Sequence, residues 1–167
     1  MPKKKRKPKP TPSIEFKEAI NTATHLKLKD GLTAIKRGEG KGRITAENPR
    51  NVLGSVNIDD DWLKAAPNSN RWDYVIGYDR SGKVVAYFVE VHSAETSEVS
   101  KIEKKLNWLL GDVLRDETNA ELASLTREIH WIASGRIKIP QHSRQYKYLA
   151  TLRKRGLLGP SKQLTMK

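Results

Sequence analysis

The chain has 167 residues, the length of one ordinary domain with a real core, and carries 32 Lys and Arg against 19 Asp and Glu, a formal net charge of +13. It has no cysteine, which excludes a disulfide framework, a thiolate zinc site and a cysteine nucleophile, and fits a reducing compartment. No apolar run approaches the ~18 residues needed to span a bilayer, and the lysine-rich start has no apolar segment behind it, so neither a membrane nor a secretory signal is expected.

Residues 1–11 read as a disordered basic arm, interrupted by Pro2, Pro8 and Pro10. Its Lys3, Lys4, Lys5 and Arg6 are candidate nucleic-acid contacts; a nuclear import signal and an added tag fit the same residues equally well. A domain is expected over 12–156 and a basic tail over 157–167. Thr11 suits a helix N-cap and Pro12 the first helical position. Phe16, Ile20, Ala23 and Leu26 then recur at near-helical spacing. Gly38, Gly40 and Gly42 close that region in a flexible basic loop, which lacks the Gly-Lys-Ser/Thr ending of a phosphate-binding P-loop.

Three strands should follow, at 51–58, 71–78 and 84–91. The last two are joined by Asp79-Arg80-Ser81-Gly82, good hairpin chemistry. Asp59, Asp60 and Asp61 suit a turn or a helix cap rather than a calcium loop. An amphipathic helix is predicted over 96–114, where Val99, Ile102, Leu106, Leu109 and Val113 are spaced 3, 4, 3 and 4 apart. A strand at 128–133 and a helix at 143–155 complete the order helix, three strands, helix, strand, helix. The fold class is therefore α/β, with a mixed sheet whose last strand is added in parallel by a crossover helix. His130 reads as a core histidine and the tryptophans as core, Trp108 being the exception, on the Lys101/Lys105 flank of the second helix.

Two acids interrupt hydrophobic strands. Asp73 lies within 71–78 and Glu90 ends 84–91. Pairing across the turn at Gly82 sets them roughly opposite each other. Close buried carboxylates repel, and each costs several kcal/mol to desolvate alone. A divalent metal removes both problems, and Mg²⁺ takes one or two carboxylates while keeping waters for chemistry. His92, two residues beyond Glu90, points to the same face of the strand, where an imidazole can orient or deprotonate a water or ligate the metal.

An acid on one strand, then an acid, a spacer and a polar residue on the next, within this order of elements, resembles the PD-(D/E)XK nucleases, the restriction-endonuclease-like phosphodiesterases. The resemblance covers about residues 13–155 and rests on Trp72-Asp73 and Glu90-Val91-His92. It implies an αβββαβ core with a mixed central sheet flanked by helices, and a site binding Mg²⁺ or Mn²⁺ through Asp73 and Glu90. The implied activity is hydrolysis of phosphodiester bonds in DNA, or RNA. His92 stands where the family has lysine, and Lys101 and Lys105, one turn apart on the following helix, are candidates to supply it. The family often adds an acid from the first helix, here Glu15 or Glu18. Arg136, Lys138, Arg144 and Lys147 belong to a stretch, 136–167, with nine basic residues and no acid, and are further candidates for phosphate contact. Nucleic acid, DNA before RNA, is the expected partner, with homodimerisation left open. The expected location is the cytoplasm, with association with the nucleoid left open, or the nucleus if the host is eukaryotic. Two other functions fit the same residues: a nuclease-fold module that binds nucleic acid without cutting it, and a protein–protein adaptor with a basic arm.

Overall fold

The computed structural model describes residues 8–167; Lys3, Lys4, Lys5 and Arg6 lie outside the described residues. Helix α1 (Pro12–Thr22) starts as expected, with Pro12 in its first turn and Thr11 Oγ1 accepting a hydrogen bond from Ile14 N at 3.4 Å. A long loop leads to β1 (Ile44–Ala46), β2 (Val52–Asn57) and a short helix α2 (Ile58–Trp62). The three aspartates form the first turn of α2, behind the cap provided by Asn57. Strands β3 (Tyr74–Arg80) and β4 (Lys83–Glu95) pair antiparallel through the turn at Ser81-Gly82, where Gly82 N donates to Asp79 Oδ1 at 2.7 Å. Helix α3 (Val99–Trp108) is entered through a 3₁₀ turn and left through a π-turn over Leu109–Val113. Then come α4 (Ala120–Ser124), β5 (Thr126–Lys138), α5 (Arg144–Lys154), β6 (Leu157–Ser161) and β7 (Leu164–Met166).

The five-stranded sheet has the order β2-β3-β4-β5-β6. The first two pairings are antiparallel and the last two parallel, so the sheet is mixed. The helices lie on one face. Phe16 and Ile20 of α1, Ile102 and Leu106 of α3, Leu122 of α4 and Leu149 and Leu152 of α5 pack there with Val75, Ala86, Phe88 and Trp131. The other face, formed by Ile76, Tyr78, Val85, Tyr87, Val89 and Ile132, is covered by Ile35 and Ile44 and by Leu164 and Met166.

Residues 157–167 are therefore not a tail. Leu157 is completely buried beside β5, and β7 pairs in parallel with β1 across the second face. Both strands are too short to show a period, and their partners are distant in sequence. The expected strands at 84–91 and 128–133 grow to thirteen residues each, because β4 and β5 continue as a parallel pair through polar residues to Glu95 and Lys138. Trp108 is 7% exposed and packs edge-on against Trp62 at 5.5 Å, in the core. His130 is bonded to Glu128 at 2.9 Å and stacked on Tyr87. Among the described residues no helix is long and apolar enough to cross a membrane.

Helix α1 approaches β3 so closely that Gly77 has no room for a side chain. A Cβ there would stand 2.4 Å from the ring of Phe16, which is wholly buried. Gly77→Ala should lower stability by about 2–3 kcal/mol, read as a fall in Tm of about 4–12 °C. An unchanged thermal unfolding curve would show that α1 is not seated on β3 in this way.

Candidate active site

The site forms where β4 outruns β3. The last β3–β4 pair is Tyr74 with Val89, so Asp73 stands at the level of Glu90, just before β3 begins. Beyond this pair Val91 N has no partner on β3, and it donates instead to Asp73 Oδ2 at 2.8 Å. Asp73 N donates in turn to Glu90 Oε2 at 3.2 Å. Each carboxylate is thus held by a main-chain N–H of the other's segment. The Asp73 carbonyl accepts from Ile58 N at 2.8 Å, which fixes this backbone to the start of α2.

Side chains alternate along β4, with Phe88 in the helix-side core and Val89 in the opposite one. Glu90 therefore turns beneath α3 and has no solvent exposure. There Lys105 meets it: its ammonium contacts Glu90 Oε1 and lies 3.6 Å from Asp73 Oδ1. The lysine at this centre comes from α3, while position 92 of the strand holds a histidine. Lys101, one turn earlier, is exposed and does not line the cavity around the carboxylates. It faces solvent near Glu98 instead. His92 lies at the rim. Its Nε2 is bonded to the Glu98 carboxylate and its Nδ1 stands 3.8 Å from Glu90 Oε1. The indole of buried Trp131 donates to the His92 carbonyl at 3.2 Å and secures this part of β4.

A cavity of about 150 Å³ opens onto these groups, lined also by Lys36, Glu39, Asn57, Asp59 and Tyr74. Glu39 accepts a hydrogen bond from the Tyr74 hydroxyl at 2.6 Å, and that hydroxyl accepts from Lys36 N at 3.3 Å. Burial, and then the bond to Glu39, raise the Tyr74 phenol far above its ordinary value. Of these cavity partners only Asp59 was named from the sequence, and there as part of a turn or helix cap rather than of the site. Glu39 sits in the glycine-rich loop and Lys36 just before it, and only the fold brings this segment over β3. Glu15 and Glu18 do not reach the site. Glu15 borders a separate hollow with Lys9 and Lys83, near the start of β4, and Glu18 is exposed on α1. Arg136 and Lys138 stand on the exposed extension of β5, where Lys138 pairs with Glu95 at 3.1 Å. Arg144 and Lys147 line a different, wider groove between α3 and α5.

Burial, joined by the Asp73 charge, pushes the Glu90 carboxyl well above the usual carboxylate range. Burial raises Asp73 as well, against the opposing pull of Lys105 and the Val91 N–H. Burial alone would lower Lys105, but the charges of Glu90 and Asp73 outweigh it and hold the ammonium above its ordinary value. The centre thus sets one cation against two carboxylates. Among the described residues no group of three or more His, Cys, Asp or Glu side chains is arranged to hold a metal ion. Two carboxylates with one uncompensated negative charge still fit the least that Mg²⁺ takes from a protein, the other positions being filled by water and substrate oxygen. Compared with known proteins, the chain matches no family model, no curated protein and no solved structure.

The raised carboxyl values carry a definite pH dependence. The unfolded chain releases these protons near 3.8 for Asp73 and 4.5 for Glu90, whereas the folded chain keeps them to higher pH. Over that interval the native state binds more protons than the unfolded state, so these groups make stability fall as pH rises. Asp73→Asn keeps an acceptor for Val91 N and leaves Glu90 paired one-to-one with Lys105. In denaturant titrations without divalent metal, the variant should be more stable than the parent at neutral pH and lose less stability between acidic and neutral pH. A parent-like pH profile would show that the Asp73–Glu90 repulsion is not a cost to the fold.

Proposed function

We propose that this chain is a metal-dependent phosphodiesterase of the PD-(D/E)XK kind, a nuclease acting on DNA, in which Lys105 of α3 takes the place of the strand lysine. The observation that carries this reading is the buried meeting of Asp73, Glu90 and Lys105 at the point where β4 outruns β3. The order of elements, with a β3–β4 hairpin followed by a crossover helix and a parallel strand, supports the restriction-endonuclease-like core. The net charge of +13 supports a polyanionic substrate.

Asp73 and Glu90 would hold the metal. When bound, it stabilises charge on the phosphate and makes its water more acidic. The Lys105 ammonium, held between the two carboxylates, donates hydrogen bonds toward the attacking water or a non-bridging phosphate oxygen and opposes the charge that develops there. His92, steadied by Glu98, borders the same opening and orients water at its rim. In the reaction a water oxygen forms a bond to phosphorus as the ester P–O bond breaks. One water proton passes to solvent and the leaving oxygen takes up another. The products are a phosphate monoester and a hydroxyl group.

One observation favours a second reading. Lys105 already pairs with Glu90 without metal, as in a nuclease-fold module that binds nucleic acid without cutting it. Incubation with plasmid DNA decides between them. The nuclease cuts with Mg²⁺ or Mn²⁺ and not with EDTA, and Asp73→Asn and Lys105→Met each lower the rate by about a hundredfold or more, as expected for loss of a transition-state charge contact, while leaving DNA binding in EDTA intact. A parent protein that binds DNA but cuts it under no metal condition is the non-catalytic module.

A further inference from the structure

Beside the carboxylate cavity lies a second hollow of about 520 Å³, lined by Leu32, Thr33, Ile35, Lys36, Arg37 and Lys41.

 A separate recess of about 320 Å³, beside Ser69, Lys104 and Trp108, is bordered by an acid, Asp112. The hollow of about 520 Å³ is different in kind: three of its six lining residues are cations and none is an acid. Lys36 lines both this hollow and the carboxylate cavity, so the two are neighbours.

The segment that carries these cations is fixed to the site. Ala34 N donates to Ser55 Oγ of β2 at 3.1 Å, and Lys36 N donates to the Tyr74 hydroxyl of β3 at 3.3 Å. Gly40 packs against β4 itself: a Cβ there would stand 3.2 Å from Val91 Cγ2 and 2.9 Å from Ile44 Cδ1. The loop is thereby held over the residue that follows Glu90. Lys36 is engaged by Asp60 at 2.8 Å, whereas Arg37 and Lys41 are exposed. Both line the hollow beside the candidate phosphodiester site, so their charges face an anion placed there.

We infer that Lys36, Arg37 and Lys41 form a binding site for the sugar–phosphate backbone of DNA, holding a phosphate next to the one at Asp73, Glu90 and Lys105. This rests on the phosphodiesterase reading for its place on the substrate, but binding can be measured without cleavage. The glycine-rich segment is then a substrate-positioning element rather than a flexible connection.

The test is fluorescence anisotropy with a short duplex DNA oligonucleotide in EDTA, over a series of salt concentrations. Arg37→Ala/Lys41→Ala should weaken binding by more than about tenfold at about 0.1 M salt and lower the slope of log K against log salt by about 1.8, roughly 0.9 for each lost phosphate contact. Lys17→Ala/Lys83→Ala removes the same charge from exposed positions on α1 and at the start of β4 and should change affinity and slope much less. Arg37→Lys/Lys41→Arg should restore binding, which separates loss of charge from loss of fold. Equal losses in the two alanine pairs, or parent-like affinity in Arg37→Ala/Lys41→Ala, would overturn the assignment while leaving cleavage by the parent untouched. A parent that does not bind DNA at all would overturn this site, and cutting of DNA by that parent would have to fail as well if the phosphodiesterase reading were also wrong.

Discussion

Glu90 has no access to solvent, and its carboxylate is kept in the fold by two contacts that come from different directions: the Asp73 main-chain N–H and the Lys105 ammonium. An isolated buried carboxylate would cost several kcal/mol. The partners therefore set conditions on the surrounding structure. Lys105 reaches Glu90 only if α3 lies across β4, and α3 is held there by Ile102, Leu106 and Leu109, all completely buried. The Asp73 N–H reaches it only if the β3–β4 hairpin keeps its register, which the turn at Ser81-Gly82 sets. The helix-side core, the hairpin and the crossover helix meet at this one group.

The same arrangement is under electrostatic tension. Two carboxylates face a single ammonium, and burial drives both toward their neutral forms. A purely structural ion pair needs only one acid. The second acid, the cavity that opens onto the pair, and the cations of the 36–41 loop suit the proposed phosphodiester site, which would need a place for a divalent ion, room for water, and positive charge for the neighbouring backbone.

The parts of this site that were legible in the sequence are those set by local geometry. Asp73 and Glu90 could be paired because a short turn between two β-rich runs leaves few registers open, and His92 follows Glu90 on the same face by the period of a strand. Lys105 was one of two candidates. Lys101 and Lys105 lie one turn apart, and only the line on which α3 crosses β4 separates them. Lys36, Glu39 and Tyr74 come together through the return of a long loop over the sheet, and no periodicity records that. The last eleven residues read as a basic tail for a related reason: β6 and β7 are short, and they become strands through β5 and β1, which lie far away in sequence. For Glu15 and Glu18 an expectation drawn from a resemblance was carried to a helix whose acids end up elsewhere.

Calorimetric titration with Mn²⁺ tests the central claim most directly, because it asks whether the Asp73–Glu90 centre takes a divalent ion without requiring the right substrate. The account predicts one binding site in the parent protein, lost in Asp73→Asn while the variant remains folded. No binding of Mn²⁺ by the parent, or binding that Asp73→Asn leaves unchanged, would contradict it.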